Sequence, residues 1–395
     1  MNSAIKHFEY IMGILNIITI YFSLGCLILG SVFFEQRLPL LDGFSINQFL
    51  LFLSITYAAS IYKGKFINAL IVGMVVLIPI YIPLAANMLS SSEYGIEKGV
   101  NLYITTLLSF SLFYISYEKY GLEEALKVIA EVIFIIMITC ILYKLFFGLF
   151  NRNVKFILFG PIVFGRIMGM GLIISLFVFE GMKREIYCLL FMFSIIISFS
   201  KGPILAIFVV VFCIMVKNKR YLEVIITAIL LSMLLFFLED AYNWSQNSEY
   251  YSLARILGVL FTLVSGGDVT SGVNYGSVGS RLDMYTYSYE IIKSNPLGVG
   301  LGNWGDYVSV EGMKYPHNFF LEVFTEMGVV FGVLFLSVFI LPLFFSVSLI
   351  KAIMCFFMIN QLFSGDILDA RYFLFFSILG YVDSFLRVYK MKVCQ

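Results

Sequence analysis

The chain is short of the residues on which soluble chemistry depends. Of its 395 residues only 13% are charged and two are histidine, His7 and His317. Soluble domains carry about a quarter charged residues, so a soluble enzyme, a disordered chain and a fibrous protein are excluded. Two histidines cannot build a multi-histidine metal centre. Net charge is only +1, from 26 Lys+Arg against 25 Asp+Glu, which leaves no polybasic attraction to nucleic acid or anionic surfaces. The six cysteines (Cys26, Cys140, Cys188, Cys213, Cys355 and Cys394) show no CxxC spacing, five of them lying in apolar runs. Neither a disulfide framework nor a zinc site is expected.

Apolar residues are plentiful: 61% are hydrophobic, 17% are aromatic, and mean hydropathy is +0.95. Much of such a chain lies in lipid. A membrane helix needs about 20 apolar residues. Windows of that size give spans at 10–34, 45–62, 66–89, 100–117, 125–149, 156–180, 186–200, 202–216, 220–238, 326–349, 352–364 and 371–388. The expected fold is all-α, a polytopic membrane protein of about 12 (10–12) transmembrane helices, the short pairs around Lys201 and Asp366 each reading equally well as one bent hairpin. The first span is too long, and lacks a small-residue cleavage site, for a removed signal peptide.

Cytoplasmic loops carry an excess of Lys and Arg. Lys6, Lys63 with Lys65, Lys119 with Lys127, Lys183 with Arg184, and Lys217 with Lys219 and Arg220 fall in alternate loops, and Lys351, Lys390 and Lys392 continue the series. Both termini are then cytoplasmic, with Asn151–Lys155 the one violation. No internal repeat is visible. The expected organisation is an N-terminal set of helices (1–150), a central set (151–238), one large external loop (239–325) and a C-terminal set (326–395).

The external loop is the only long polar stretch. Its Trp244, Trp304 and many tyrosines argue against disorder. Two amphipathic stretches stand out. Tyr250–Val264 fits an interfacial helix. The second starts at Ser280, an N-cap candidate, runs over Arg281–Ser294, and stops at Asn295-Pro296.

Several residues are candidates for chemistry. Arg166 sits about ten residues inside an apolar run, where a charge costs at least ~2.5–3.5 kcal/mol. It either pairs with a carboxylate or helix carbonyl as a structural residue, or binds an anion. Gly160-Pro161 before it suggests a broken helix entry beside a cavity. Lys201, in Ser200-Lys201-Gly202-Pro203, is either an interfacial lysine reaching to headgroups or a second cation of an anion site. Arg281 is either a solvated loop charge or an anion contact, with the lead-in Gly276-Ser277-Val278-Gly279-Ser280 favouring close approach at a helix N-terminus. His317, in Tyr315-Pro316-His317-Asn318-Phe319-Phe320, is structural or a proton-transfer group. Glu322 and Glu326 follow at helical spacing, either orienting His317 or facing solvent. Pro296-Leu297-Gly298-Val299-Gly300-Leu301-Gly302 resembles a phosphate loop but follows a helix and lacks the Lys-Ser/Thr of one, so a fold-back turn is the better reading. Asp366, Asp369 and Arg371 read as a local ion pair in an outer turn.

Arg166, Lys201, Arg281, His317 and Arg371 all map to the outer half of the membrane. Cations gathered on one face, with one histidine, suit a phosphate-bearing lipid: the cations hold a pyrophosphate leaving group and the histidine takes a proton from an acceptor hydroxyl. A transporter would place charges near the midplane and show repeated halves, which disfavours a lipid-linked glycan flippase.

The ordered set Gly279-Ser280-Arg281, Asn295-Pro296-Leu297-Gly298-Val299-Gly300, His317-Asn318 and Gly328 resembles the O-antigen polymerase and ligase superfamily (Wzy and WaaL type). Arg166 within a span and the Ser200-Lys201-Gly202 turn resemble its upstream elements, with Lys201 where the family commonly has Arg. The resemblance covers roughly 155–335. It implies metal-independent glycosyl transfer, without a cofactor, at the periplasmic face of the bacterial inner membrane. The implied donor is a glycan on undecaprenyl pyrophosphate. The acceptor is a second lipid-linked repeat unit for a polymerase, the leading expectation, or lipid A-core for a ligase. A chain-length regulator and a flippase are possible partners, and nucleic acid is not. By the resemblance, Arg166 and Arg281 contact pyrophosphate and His317 handles the acceptor hydroxyl. Lys201, Asn318, Glu322 and Arg371 are the expected substrate-binding residues.

Overall fold

In the computed structural model of the chain, the described residues are 63–149, 160–246, 279–308 and 313–393, with isolated positions at 49–60, at 156 and between 254 and 261. All the regular elements among them are helical. In chain order they are α1 (Lys63–Asn87), α2 (Glu93–Tyr120), α3 (Leu122–Phe147), α4 (Pro161–Val178), α5 (Gly181–Ile197), α6 (Lys201–Lys217), α7 (Tyr221–Phe236), α8 (Leu238–Gln246), α9 (Ser280–Ser294), α10 (Phe319–Ile340), α11 (Pro342–Phe345), α12 (Ser348–Ser364) and α13 (Arg371–Val393).

Six helical stretches among the described residues are long and apolar enough to cross a membrane: Gly64–Ser90, Glu93–Tyr120, Leu122–Phe147, Pro161–Val178, Phe319–Phe345 and Leu368–Tyr389. The expectation of about twelve is therefore met only in part. The expected span 10–34 lies outside the described residues, and 45–62 does so apart from isolated positions. The spans expected at 186–200 and 202–216 are two separate helices, α5 and α6, of 17 residues each. At 1.5 Å per residue each reaches about 25 Å, short of a full hydrocarbon core of about 30 Å. The span expected at 352–364 is likewise the 17-residue α12. Tyr250–Val264 falls outside the described residues apart from isolated positions.

Of these six stretches α4 is the most buried, with 72% of its span covered. It packs on α3, α5, α6 and α12, while α13 packs on α2, α10 and α12. A lipid-facing helix needs only one protein-covered stripe, so a helix apolar all round and buried all round belongs at a bundle's centre. The core is built from its Phe164, Met168 and Ile173 with Phe191, Phe356, Phe357 and Phe376. Cys140, Cys188, Cys213 and Cys355 are free thiols.

Helix α9 lies within 239–325, the stretch expected to form an external loop. It packs on α10 and has a small core of its own, in which Met284, Ile291 and Val299 surround the fully buried Trp304. The indole N–H donates to Ser288 Oγ at 2.9 Å, the partner a buried Trp requires. Ser280 does not serve as the N-cap: it is the first helical residue and Gly279 holds the cap position. The stop is where Asn295-Pro296 placed it.

Candidate functional site

The candidate residues and their polar partners converge where α2, α10 and α13 begin and α12 ends. Three segments from distant parts of the chain meet there.

The first is the head of α10. Asn318 caps it, its Oδ1 accepting from the backbone N–H of Phe320 at 3.0 Å and Leu321 at 3.1 Å. That satisfies two of the donors a helix start leaves open. Its amide nitrogen donates to Leu362 O at 3.1 Å, and the Tyr285 hydroxyl donates to the same carbonyl at 3.1 Å. Asn318 thus fastens α10 to the end of α12, and α9 is fastened there beside it. Arg281 is one turn before Tyr285 on α9. His317 precedes the cap in a left-handed backbone, φ 54°, which is uncommon outside glycine. Its half-buried ring meets the edge of Tyr315, centroids 4.5 Å apart. Burial, and then the positive charge of Arg281, hold the imidazole pKa below its ordinary value, with Asp369 opposing. The imidazole is therefore neutral near pH 7 and able to accept a proton. Burial and the nearby acids push the Tyr315 phenol up, so it stays protonated.

The second segment is the turn from 365 to 370. Arg166, 3% exposed on α4, reaches it: Nη1 meets Asp369 Oδ2 at 2.8 Å and Nη2 donates to Ser364 Oγ at 3.1 Å. The local account of Asp366, Asp369 and Arg371 is therefore incomplete, because Asp369 pairs across the bundle with α4. Arg166 Nε is buried with no hydrogen-bond partner among the described residues. Asp369 is pinned at its main chain as well. Its N–H donates to Asp366 Oδ1 at 2.6 Å and its carbonyl accepts from Gln361 Nε2 at 2.9 Å. Burial, and then the neighbouring Asp369, raise the Asp366 carboxyl to about 6. Arg371 opens α13 with its guanidinium 5.7 Å from the Tyr372 ring centre. Lys201 opens α6 at the same end. A Cβ on Gly202 would lie 3.5 Å from Asn360 Oδ1, and one on Gly165, next to Arg166, would lie 3.0 Å from Pro203.

The third segment is the glycine loop, and it folds back as expected. Helix α10 is broken at Gly328, φ 76° and ψ 174°, a region essentially reserved for glycine. The break frees the carbonyls of Thr325 and Glu326, which accept from Val299 N and Gly300 N at 2.9 Å each, while Val329 N donates to Pro296 O at 2.9 Å. The other side of the loop grips the start of α2: Leu301 O accepts from Ser92 N at 3.0 Å, and Asn303 Nδ2 donates to Ser90 O at 2.7 Å. Gly300, φ 92°, is needed because a Cβ there would lie 2.0 Å from Ser90 O. The N–H groups of Gly298, Val299 and Gly300 are spent on carbonyls and that of Leu301 on Ser91 Oγ, so this is a staple between helices and not a phosphate cradle.

Sequence reasoning missed Lys98. It is 1% exposed on α2, and its ammonium pairs with Glu322 Oε1 and, at 3.2 Å, with Glu326 Oε2. Both glutamates are fully buried, so neither faces solvent. Glu322 Oε2 also accepts from Ile367 N at 2.8 Å. Two carboxylates one turn apart in an apolar helix demand a buried cation; the missing partner was the available signal.

Residues 186–337 match the family model Wzy_C, described as O-Antigen ligase. The matched segment runs from α5 to α10 and holds Lys201, Arg281, His317, Asn318 and Glu322, while Arg166 and Arg371 lie outside it. A search of curated proteins found no match.

Proposed function

Taking residues 186–337 as a domain of the O-antigen polymerase and ligase superfamily, a superfamily of membrane glycosyltransferase-like enzymes acting on lipid-linked glycans, we propose that this chain is an O-antigen polymerase. It joins oligosaccharide repeat units carried on undecaprenyl pyrophosphate, at the periplasmic face of the inner membrane, with both termini cytoplasmic. The observation that supports this most is the meeting of Arg166, Arg281 and His317. They come from α4, α9 and the head of α10 to one end of the bundle.

The chemistry follows from the charges. The acceptor hydroxyl gives its proton to the neutral imidazole of His317. Its oxygen forms a bond to the anomeric carbon of the donor as that carbon's bond to pyrophosphate breaks. Arg281, beside His317, receives the developing negative charge on the departing lipid pyrophosphate. Arg166 joins it by exchanging Asp369 for a phosphate oxygen. Burial, and then the positive charge of Arg281, keep His317 deprotonated until the acceptor arrives. Lys201 and Arg371 add positive potential around the site, and Asn318 and Glu322 hold the backbone that carries it.

A second reading, ligation of finished glycan to lipid A-core, is favoured by the description of the matching family. It uses the same residues with a different acceptor. The test is transfer by the purified full-length protein, offered lipid-linked repeat units alone and then with lipid A-core. Elongation with repeat units alone establishes the polymerase. Transfer only to lipid A-core establishes the ligase. No transfer to either acceptor overturns both readings.

A further inference from the structure

The buried Lys98 takes no part in the steps above, yet three of the segments that build the site hang from it. Lys98 holds Glu322 and Glu326, both on α10, whose head carries His317. Through its other oxygen Glu322 holds Ile367 N at 2.8 Å. That fixes the turn in which Asp369 pairs with Arg166 at 2.8 Å. The backbone N–H groups of Gly302 and Trp304 lie against Glu326, which ties it to the loop after α9, the helix whose first turn carries Arg281. The ammonium and both carboxylates have no exposed side-chain surface, so none of them touches a substrate.

Burying three charges is expensive, and a well-packed apolar cluster of the same volume is often the more stable choice. Such a cluster could not accept the three N–H groups, which would then be buried without partners. The ionic cluster thus does something that apolar packing cannot: it gives loops on two sides of the site directional contacts to one point. We propose that Lys98 is the positioning residue of this site, the buried cation that holds α10, the 366–369 turn and the Gly302–Trp304 loop in mutual register. Its activity readout rests on the proposed glycosyl transfer; its structural readout does not.

Lys98→Met alone leaves two like charges buried together, so its misfolding would be uninformative. The compensated variant Lys98→Met/Glu322→Gln is the decisive one. Wild type buries one positive and two negative charges; the variant buries one negative charge, the same net value. The amide introduced by Glu322→Gln keeps an oxygen for Ile367 N. Two measurements on the full-length protein in lipid nanodiscs are needed. Deuterium uptake over 299–304 and 364–370 is expected to rise in the variant, while uptake in the α3 core stays unchanged. With lipid-linked repeat units, kcat is expected to fall about 100-fold, the usual cost of a misplacement near 1 Å. The donor KM is expected to change less than about threefold. Unchanged uptake in both segments, or wild-type kcat in a folded variant, overturns the proposal. If wild-type protein transfers no glycan at all, the functional reading fails, and the uptake measurement still decides whether Lys98 holds the two segments.

Discussion

Replacing Gly328 by alanine separates the kinked helix from the loop it grips. The residue sits at φ 76°, ψ 174°, where a side chain costs about 1–3 kcal/mol in backbone strain. A Cβ there would lie 2.3 Å from the Leu297 carbonyl carbon and 2.5 Å from its oxygen. Both are main-chain atoms, so the contact is relieved only by moving the loop. Three backbone hydrogen bonds cross this junction, each at 2.9 Å: Val299 N to Thr325 O, Gly300 N to Glu326 O, and Val329 N to Pro296 O. Each contributes about 0.5–1.5 kcal/mol net. Strain plus lost bonds come to roughly 2.5–7.5 kcal/mol, a large part of an ordinary stability of about 5–15 kcal/mol. The assay is amide hydrogen exchange on full-length protein in nanodiscs, beside glycan transfer. Val299, Gly300 and Val329 should lose protection in Gly328→Ala, and transfer should fall with them. Wild-type protection at these amides would refute the reasoning, because it would mean that the kink does not depend on glycine.

Arg281→Ala should still insert in the membrane yet lose about 10–150-fold in kcat/KM, the worth of one charge-assisted hydrogen bond; long-chain glycan at the normal level in that mutant would remove Arg281 from the mechanism. His317→Gln should bind the donor nearly as well as wild type and lose about 10²–10⁴-fold in turnover, which separate binding and single-turnover measurements would show. In the proposed mechanism the active imidazole is the neutral form, so the rate should fall as pH drops through a pKa below the usual 6.5, and Arg281→Gln, by removing one of the causes that lower that pKa, should move the acid limb to higher pH in the residual activity profile. Asp366 is raised from 3.8 to about 6, so in the folded state its charged form is disfavoured by about 3 kcal/mol. That stability is present below pH 4 and lost as pH rises through about 6. Asp366→Asn, whose oxygen can still accept from Asp369 N, should flatten this pH dependence and raise the unfolding midpoint at pH 7. Transfer should survive EDTA if, as proposed, the charge on the leaving group is met by side chains; a strict requirement for a divalent ion would contradict that.

What the sequence made legible tracks how costly each residue is in its setting. A charge in an apolar run is expensive, so Arg166 drew attention, and the structure shows it paired with Asp369. A glycine-rich segment after a helix, without a P-loop lysine, read as a fold-back, and it grips the Gly328 kink. The all-helical class followed from hydropathy alone. Other features were hidden for physical reasons. Lys98 stands beside Glu97 at the start of a span, where lysines ordinarily reach to headgroups, and its partner Glu322 is 224 residues away in sequence. The Arg166–Asp369 pair spans 203 residues, beyond any local pattern. The count of about twelve is not confirmed: six helices among the described residues are long enough to span, α5, α6 and α12 stop at 17 residues, and the first two expected spans fall almost wholly outside the described residues.

The central claim is lipid-linked glycan polymerisation, and surface polysaccharide from a strain lacking this gene tests it most directly. Lipid A-core bearing a single repeat unit is the predicted result, because ligation survives while chain growth stops. Bare core, with long glycan still held on the lipid carrier, would contradict the polymerase and identify the ligase. An unchanged ladder of chain lengths would contradict both.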